Sequence, residues 1–217
     1  MDNNDYFEKL QKQIDIMKEL RLQGLSIASA IIGKNLLKED FFFCASVDRC
    51  INLIDGIITM LLNRNLTCAG ALLRLQMDNC IRTYAPFIAN NKDEVIDCII
   101  NGEPIKSKRS KDGNKLTDCY LKNEISKFDN QFSYLYKEIS GFIHFSEKAF
   151  YQTIVECDNN AIVLQIGHEI PEKRNPVLIE VSDAFIHFVE LHYKMLSVIA
   201  DSKTKFDIKL AENNIII

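Results

Sequence analysis

The feature that most constrains the fold is a helical period in the apolar residues. Between Leu37 and Asn63 apolar residues recur at steps of three and four, which places them along one face of an α-helix. They are Val47, Cys50, Ile51, Ile54, Ile57, Ile58 and Leu61, and the opposite face carries Asp48, Arg49, Asn52, Asp55 and Thr59. Because a one-sided helix must bury its apolar face against another element, this segment predicts a packed helical protein.

The same period predicts further helices along the chain. Asp5 is the expected N-cap of the first helix, with Glu8 completing a capping box, and Pro86 is expected to kink or end the third. Asn175 followed by Pro176 is a favourable start for a long final helix that ends near Ser202. The predicted helices are about 5–32, 37–63, 66–88, 92–100, 115–127, 130–145 and 175–202.

One segment before the last helix has a different composition. Phe150–Cys157 and Ala161–Ile166 are rich in β-branched and aromatic residues, and Asp158, Asn159 and Asn160 between them suit a tight turn. We therefore predict a small β-hairpin at about 150–166. The expected fold is mainly α: an antiparallel helical bundle with one hairpin before a long C-terminal helix.

Length and composition predict a single domain over residues 1–217. Of the 217 residues, 47% are hydrophobic and 26% charged, which is the composition of a packed globule. The N-terminal residues lack the pattern of a signal peptide, and no stretch reaches the roughly 18 apolar residues that cross a bilayer. Seven scattered cysteines are typical of reduced thiols, so we expect a cytoplasmic protein with no membrane partner.

A basic segment interrupts this pattern at about 103–115. It contains Lys106, Lys108, Arg109 and Lys111 within a Ser/Gly/Asn-bearing stretch, and we expect a mobile loop there. Such a loop is either a solvated surface or a weak contact for nucleic acid. The tail at about 203–217 is expected to be flexible, since it is polar until its last three residues.

Standard phosphate-binding and metal-binding motifs are missing from the sequence. The histidines do not cluster either, because His187 and His192 are five residues apart and point about 140° away from each other on a helix. His192 lies on the apolar stripe and is expected in the core, whereas His187 has no identifiable partner. We expect neither a metal nor a cofactor.

One polar line carries candidate chemistry. Ser133, Lys137, Ser140 and His144 follow one another at steps of four, three and four on the helix 130–145. On another helix Arg74, Asp78 and Arg82 form a ladder at steps of four, from which Arg74 is a candidate partner for His144.

These residues have a chemical interpretation and a structural one. A histidine moves a proton and a nearby cation stabilises a charged phosphorane, which is what metal-free cleavage of RNA requires. Alternatively the line is a solvated helix face and the ladder an exposed row of ion pairs.

A resemblance favours the first interpretation. The segments ALLRLQMDNCIR at Ala71–Arg82 and YKEISGFIHFS at Tyr136–Ser146, with their order along the chain, resemble uncharacterised bacterial families related to HEPN-type bundles and abortive-infection proteins. The similarity covers about residues 35–200. Catalytic HEPN domains carry an Arg followed after four to six residues by His, and the pairs of two subunits meet in a dimer cleft. Here Lys137 takes the place of the arginine, with six residues between it and His144, so the resemblance implies a homodimer whose nuclease activity is weak or absent.

The sequence leaves two functions open. The first is an RNase with His144 as the proton-transfer group, supported by Lys137, Ser140 and Arg74. The second is a non-catalytic module that binds a partner protein, as an antitoxin or sensor subunit does, through a bundle face or the hairpin edge.

Overall fold

The computed structural model is a bundle of helices, and it describes residues 3–143, 150, 154–157, 162–164, 166 and 172–212. Among the described residues three long helices come first, followed by three shorter ones, two strands and a long last helix. Their bounds are α1 Asn3–Ile32, α2 Lys38–Leu62, α3 Leu66–Ile88, α4 Lys92–Ile100, α5 Asp118–Ile125, α6 Phe132–Ile143, β1 Ile154–Cys157, β2 Ile162–Leu164 and α7 Asn175–Glu212. The predicted mainly helical bundle is confirmed.

Helices α1, α2 and α3 run up, down and up, and α7 closes the bundle. Gln13 pairs with Asp183 near the start of α7, and Lys34 N donates to Asp207 near its end, so α1 and α7 are parallel. Helix α2 is antiparallel to α7, since Asp40 near the start of α2 contacts Lys203 near the end of α7. The long connection through α4, α5, α6 and the strands returns the chain to the end of the bundle where α1 begins.

The core lies where α7 meets α1, α2 and α3. On α7, Phe185, Phe188 and His192 are fully buried and Val181 and Met195 nearly so, which confirms the expected place of His192 in the core. Burial of each large side chain of this kind contributes about 1.5–3 kcal/mol to folding. No helix within the described part of the chain is long and apolar enough to cross a membrane.

The predicted start of the first helix and the predicted end of the last one differ from the structure. The first helix begins at Asn3, so Asp5 lies inside its first turn rather than at the N-cap. Helix α3 has the predicted bounds, with Pro86 inside it two residues before its end at Ile88. The last helix continues ten residues beyond Ser202, because the polar residues Lys203 and Asp207 are buried against the α1–α2 connection.

The two short strands pair antiparallel, with Ile154 opposite Leu164 and Cys157 opposite Ile162. A register irregularity lies between Ile154 and Glu156. The residues that connect the strands, 158–161, are outside the described part of the chain. The side chains of β2 are exposed.

The basic segment folds back on the end of α3 through backbone hydrogen bonds. Asn90 N donates to Arg109 O at 2.9 Å, and Lys111 N donates to Ile88 O at 3.0 Å. Ile105 and Leu116 are buried at its two ends. The main chain of this segment is therefore anchored, while most of its basic side chains point outward.

Candidate anion-binding cleft

A cleft of about 440 Å³ beside α2, α3 and the start of α5 is lined mainly by polar and charged residues. Its size is at the lower end of the range for small-molecule sites. Three arginines line it: Arg49 from α2 and Arg74 and Arg82 from α3. The other polar lining residues are Ser46, Asp78, Asn79, Thr83 and Asp118. We call this feature the arginine cleft.

The charges of the arginine cleft are only partly balanced. Asp78 pairs with Arg74, and Asp118 Oδ1 lies 2.7 Å from Arg82 Nη2. Arg49 is exposed and forms no ion pair with any described residue. Three guanidinium groups against two carboxylates leave one net positive charge, which favours an anionic ligand.

Arg74 is the most constrained of the three arginines. Its side chain is 14% exposed, and its Cζ lies 3.5 Å from the centroid of the Tyr136 ring on α6. A guanidinium stacked on a ring at this distance forms a cation–π contact. Burial raises the pKa of Tyr136, and the positive charge of Arg74 opposes that rise. Arg74 is therefore held between Asp78 and Tyr136 with its orientation fixed.

A buried hydrogen-bond network forms the floor of the cleft. His192 Nε2 lies 2.7 Å from Ser46 Oγ and 3.0 Å from Thr83 Oγ1, and the two hydroxyls are 2.8 Å apart. Asn79 Nδ2 donates to Ser46 O at 3.0 Å. This network fixes the spacing of α2, α3 and α7 at the cleft.

His192 acts in this network as a neutral hydrogen-bonding group. Burial lowers its pKa to about 3, so the ring is uncharged near pH 7. Its Nδ1 has no partner among the described residues. A buried unpaired N–H is rarer than an unpaired acceptor, which favours the tautomer that donates from Nε2. Ser46 is then an acceptor of this bond and not an activated nucleophile.

The lowered pKa of His192 predicts a pH-dependent stability. In the unfolded chain the ring binds a proton below about pH 6.5, whereas the folded ring stays neutral down to about pH 3. The unfolded state therefore binds more protons in this window, and stability falls as the pH falls, by up to about 1.4 kcal/mol per pH unit. Between pH 7 and pH 5, the free energy of unfolding measured in urea should fall by about 2 kcal/mol more for wild type than for His192→Gln. Equal losses in the two proteins would contradict this account.

The predicted catalytic residues are only partly brought together. Arg74 contacts α6, the helix that carries Lys137 and Ser140. Lys137 is exposed, and Ser140 Oγ donates to the carbonyl of Tyr136 at 2.7 Å. His144 lies outside the described residues.

The predicted nucleic-acid contacts of the basic segment have local partners in three of four cases. Lys108 Nζ lies 3.0 Å from Glu94 Oε2, Arg109 donates to Gly113 O, and Lys111 donates to Phe87 O. Lys106 is exposed and lines a second cleft that shares Arg82 and Asp118 with the arginine cleft. The two clefts therefore adjoin at the Arg82–Asp118 ion pair.

One expectation about the histidines was wrong. His187 has a partner, because its Nε2 lies 2.6 Å from Asp129 Oδ2. Asp129 also accepts hydrogen bonds from Gln131 N and Phe132 N at the start of α6. The pairing depends on a contact between residues 58 positions apart, which the helical period does not reveal.

Sequence reasoning missed three residues of the arginine cleft. Arg49 looked like part of a solvated face, and Ser46 and Thr83 carried no signal beyond polar residues beside apolar stripes. The available hint was that Ser46 and His192 both interrupt faces that are otherwise apolar.

Within the described residues no group of three or more His, Cys, Asp or Glu side chains is arranged to hold a metal ion. Six cysteines are free, and burial raises the pKa of one of them, Cys50, to about 12. The six are Cys44, Cys50, Cys68, Cys80, Cys98 and Cys119. Comparison with protein-family models, with curated proteins and with solved structures finds no match to this chain.

Proposed function

We propose that this protein is a HEPN-like helical protein of bacterial or phage-defence type that acts on RNA without a metal ion, as a homodimer. The phosphodiester binds in the arginine cleft. The observation that supports this is the convergence of Arg49, Arg74 and Arg82 on one cleft, with Arg49 free of described ion pairs.

Arginine suits this ligand for geometric reasons. Its planar guanidinium donates two parallel hydrogen bonds to phosphate oxygens, and a phosphate replaces the hydration that the exposed Arg49 has in the free protein. The adjoining cleft adds Lys106 beyond the Arg82–Asp118 pair. An extended single strand that crosses both clefts would bring successive phosphates to these cations.

The proposed reaction is transfer of the phosphodiester to the neighbouring 2′-hydroxyl. His144 takes the 2′ proton, the 2′-oxygen attacks phosphorus, and the bond to the 5′-oxygen breaks. The 5′-oxygen takes a proton from solvent water, and His144 returns its proton to solvent, which leaves a 2′,3′-cyclic phosphate and a 5′-hydroxyl. Arg74, fixed by Tyr136 and Asp78, stabilises the charge on the phosphorane. Ser140 already donates to a backbone carbonyl, so we assign the supporting contact on α6 to Lys137.

The test is cleavage of a labelled single-stranded RNA in excess EDTA. Because general acid–base catalysis contributes about 10²–10⁴-fold, His144→Ala is expected to lower the rate at least about 100-fold. Arg74→Lys keeps the charge but loses the planar contact with Tyr136, and should lower the rate about tenfold or more. Arg21→Ala, an exposed arginine paired with Asp55, is the matched control and should cleave like wild type. Full activity of His144→Ala would eliminate the catalytic proposal.

A second function is favoured by the two existing ion pairs. Arg74 and Arg82 already have carboxylate partners, which is also typical of an arginine row that stabilises a bundle. In that case the protein is a non-catalytic module, an antitoxin or sensor subunit, that binds a partner protein. Wild-type protein that neither binds nor cleaves RNA in the same assay would favour this alternative.

A further inference from the structure

A separate cavity of about 740 Å³ lies between α7, the end of α3 and the connection of α5 to α6. It shares no lining residue with the arginine cleft. One wall of the cavity is aromatic, with Tyr84 and Phe128, and the other is aliphatic, with Met195 and Val198. We call it the aromatic groove.

The aromatic groove is the exposed end of a row of rings. Phe43 contacts Phe87 at 6.1 Å between centroids, Phe87 stacks with Tyr84 at 6.3 Å, and Tyr84 contacts Phe128 at 5.4 Å. Phe43 is buried, whereas Phe128 is 54% exposed. The last ring is thus held in place by its neighbours while much of its surface faces solvent, which is the arrangement of a stacking platform.

The charges at the groove favour an anion. Both carboxylate oxygens of Asp129 have local partners: Oδ2 lies 2.6 Å from His187 Nε2, and Oδ1 accepts hydrogen bonds from the backbone N–H groups of Gln131 and Phe132. Lys127 is paired with Glu124 at 2.6 Å. Lys194 is exposed and forms no ion pair with any residue that the structure describes, so it is the uncompensated charge.

The same charge argues against a second copy of the chain in this groove. A symmetric contact would bring the two Lys194 ammonium groups toward each other, which is unfavourable. A ligand that brings its own negative charge avoids this cost.

We propose that the aromatic groove binds a small molecule in which a flat aromatic ring carries one anionic group. The ring stacks on Phe128 opposite Met195 and Val198, and the anionic group meets Lys194. Nucleoside monophosphates and aromatic carboxylates share this chemistry. The inference stands apart from the proposed action on RNA, since it concerns a different cavity.

The chain contains no tryptophan, which allows a direct test. Phe128→Trp places one fluorophore in the groove, and a stacked ring should quench it. Adenosine 5′-monophosphate and nicotinate are the ring-plus-anion probes, and whichever binds more tightly identifies the source. At least one probe should quench the tryptophan fluorescence saturably, with a Kd below about 1 mM. Adenosine and ribose 5-phosphate should bind at least about tenfold more weakly, which corresponds to about 1.4 kcal/mol of binding free energy.

Matched variants separate specific binding from collisional quenching. Phe7→Trp is the control fluorophore, because Phe7 is 57% exposed near the start of α1, and its emission should not respond saturably. In the Phe128→Trp protein, Lys194→Ala should weaken binding of the anionic probes about five- to tenfold. Lys205→Ala, an exposed lysine on the same helix, should leave it unchanged.

Saturation-transfer NMR on the wild-type chain repeats the probe panel without any substitution. A saturation-transfer signal from adenosine 5′-monophosphate or nicotinate that decreases when the other probe is added supports a shared site. No saturable response from either probe, equal affinity for adenosine and its monophosphate, or no effect of Lys194→Ala would overturn the proposal.

Discussion

Replacing Lys203 by methionine is expected to lower the free energy of unfolding by about 3–5 kcal/mol. The Lys203 and Asp40 side chains form an ion pair with exposed fractions of only 3% and 2%. Asp40 also accepts a hydrogen bond from Leu37 N at 2.7 Å, and Lys203 donates to Asn35 O. Removal of the ammonium leaves a buried carboxylate without its counter-charge, and this is the larger part of the expected loss.

Urea unfolding of a small set of variants measures this effect. Adding Asp40→Asn to Lys203→Met removes the stranded charge, so the double variant should be more stable than Lys203→Met by at least about 1 kcal/mol. Lys205→Ala, exposed two positions along the same helix, should change stability by less than about 0.5 kcal/mol. If Lys203→Met lowers the free energy of unfolding by less than about 1 kcal/mol, the ion pair does not stabilise the packing of α7 against α2.

The same ion pair shows where sequence reasoning stops. The apolar stripes of α2 and α7 were enough to predict both helices, because their burial depends on a local period. The extension of α7 to Glu212 was missed because Lys203 and Asp207 look like solvated residues until the α1–α2 connection is placed beside them. Long-range pairing of polar groups leaves no local period.

In the candidate site, too, local spacing could be predicted from the sequence and long-range pairing could not. Arg74, Asp78 and Arg82 were recognised from their spacing on α3, but that spacing does not show which arginine pairs with Asp78. Asp118 resolves this by pairing with Arg82, a contact across 36 positions that depends on how α5 packs. Arg49 joins the cleft because α2 packs antiparallel to α3, which the sequence of α2 does not disclose by itself.

The second large effect is expected on RNA affinity when Arg49 and Arg82 are replaced together by alanine. Each guanidinium that meets a phosphate contributes about 1.5–3 kcal/mol as a charged hydrogen-bonding group. Loss of Arg49 should therefore weaken binding about tenfold, and loss of both about 100-fold, where tenfold corresponds to about 1.4 kcal/mol. Asp118, released from Arg82, adds a repulsive charge in the double variant.

The most direct measurement is the Kd of a labelled single-stranded RNA for wild type, Arg49→Ala and the Arg49→Ala/Arg82→Ala double variant, as a function of salt concentration. Each lost phosphate contact should reduce the slope of log K against log salt by about 0.7, while Arg21→Ala should match wild type in both affinity and slope. Affinity within about twofold of wild type for the double variant, with an unchanged salt slope, would contradict the assignment of the arginine cleft as the RNA-binding site.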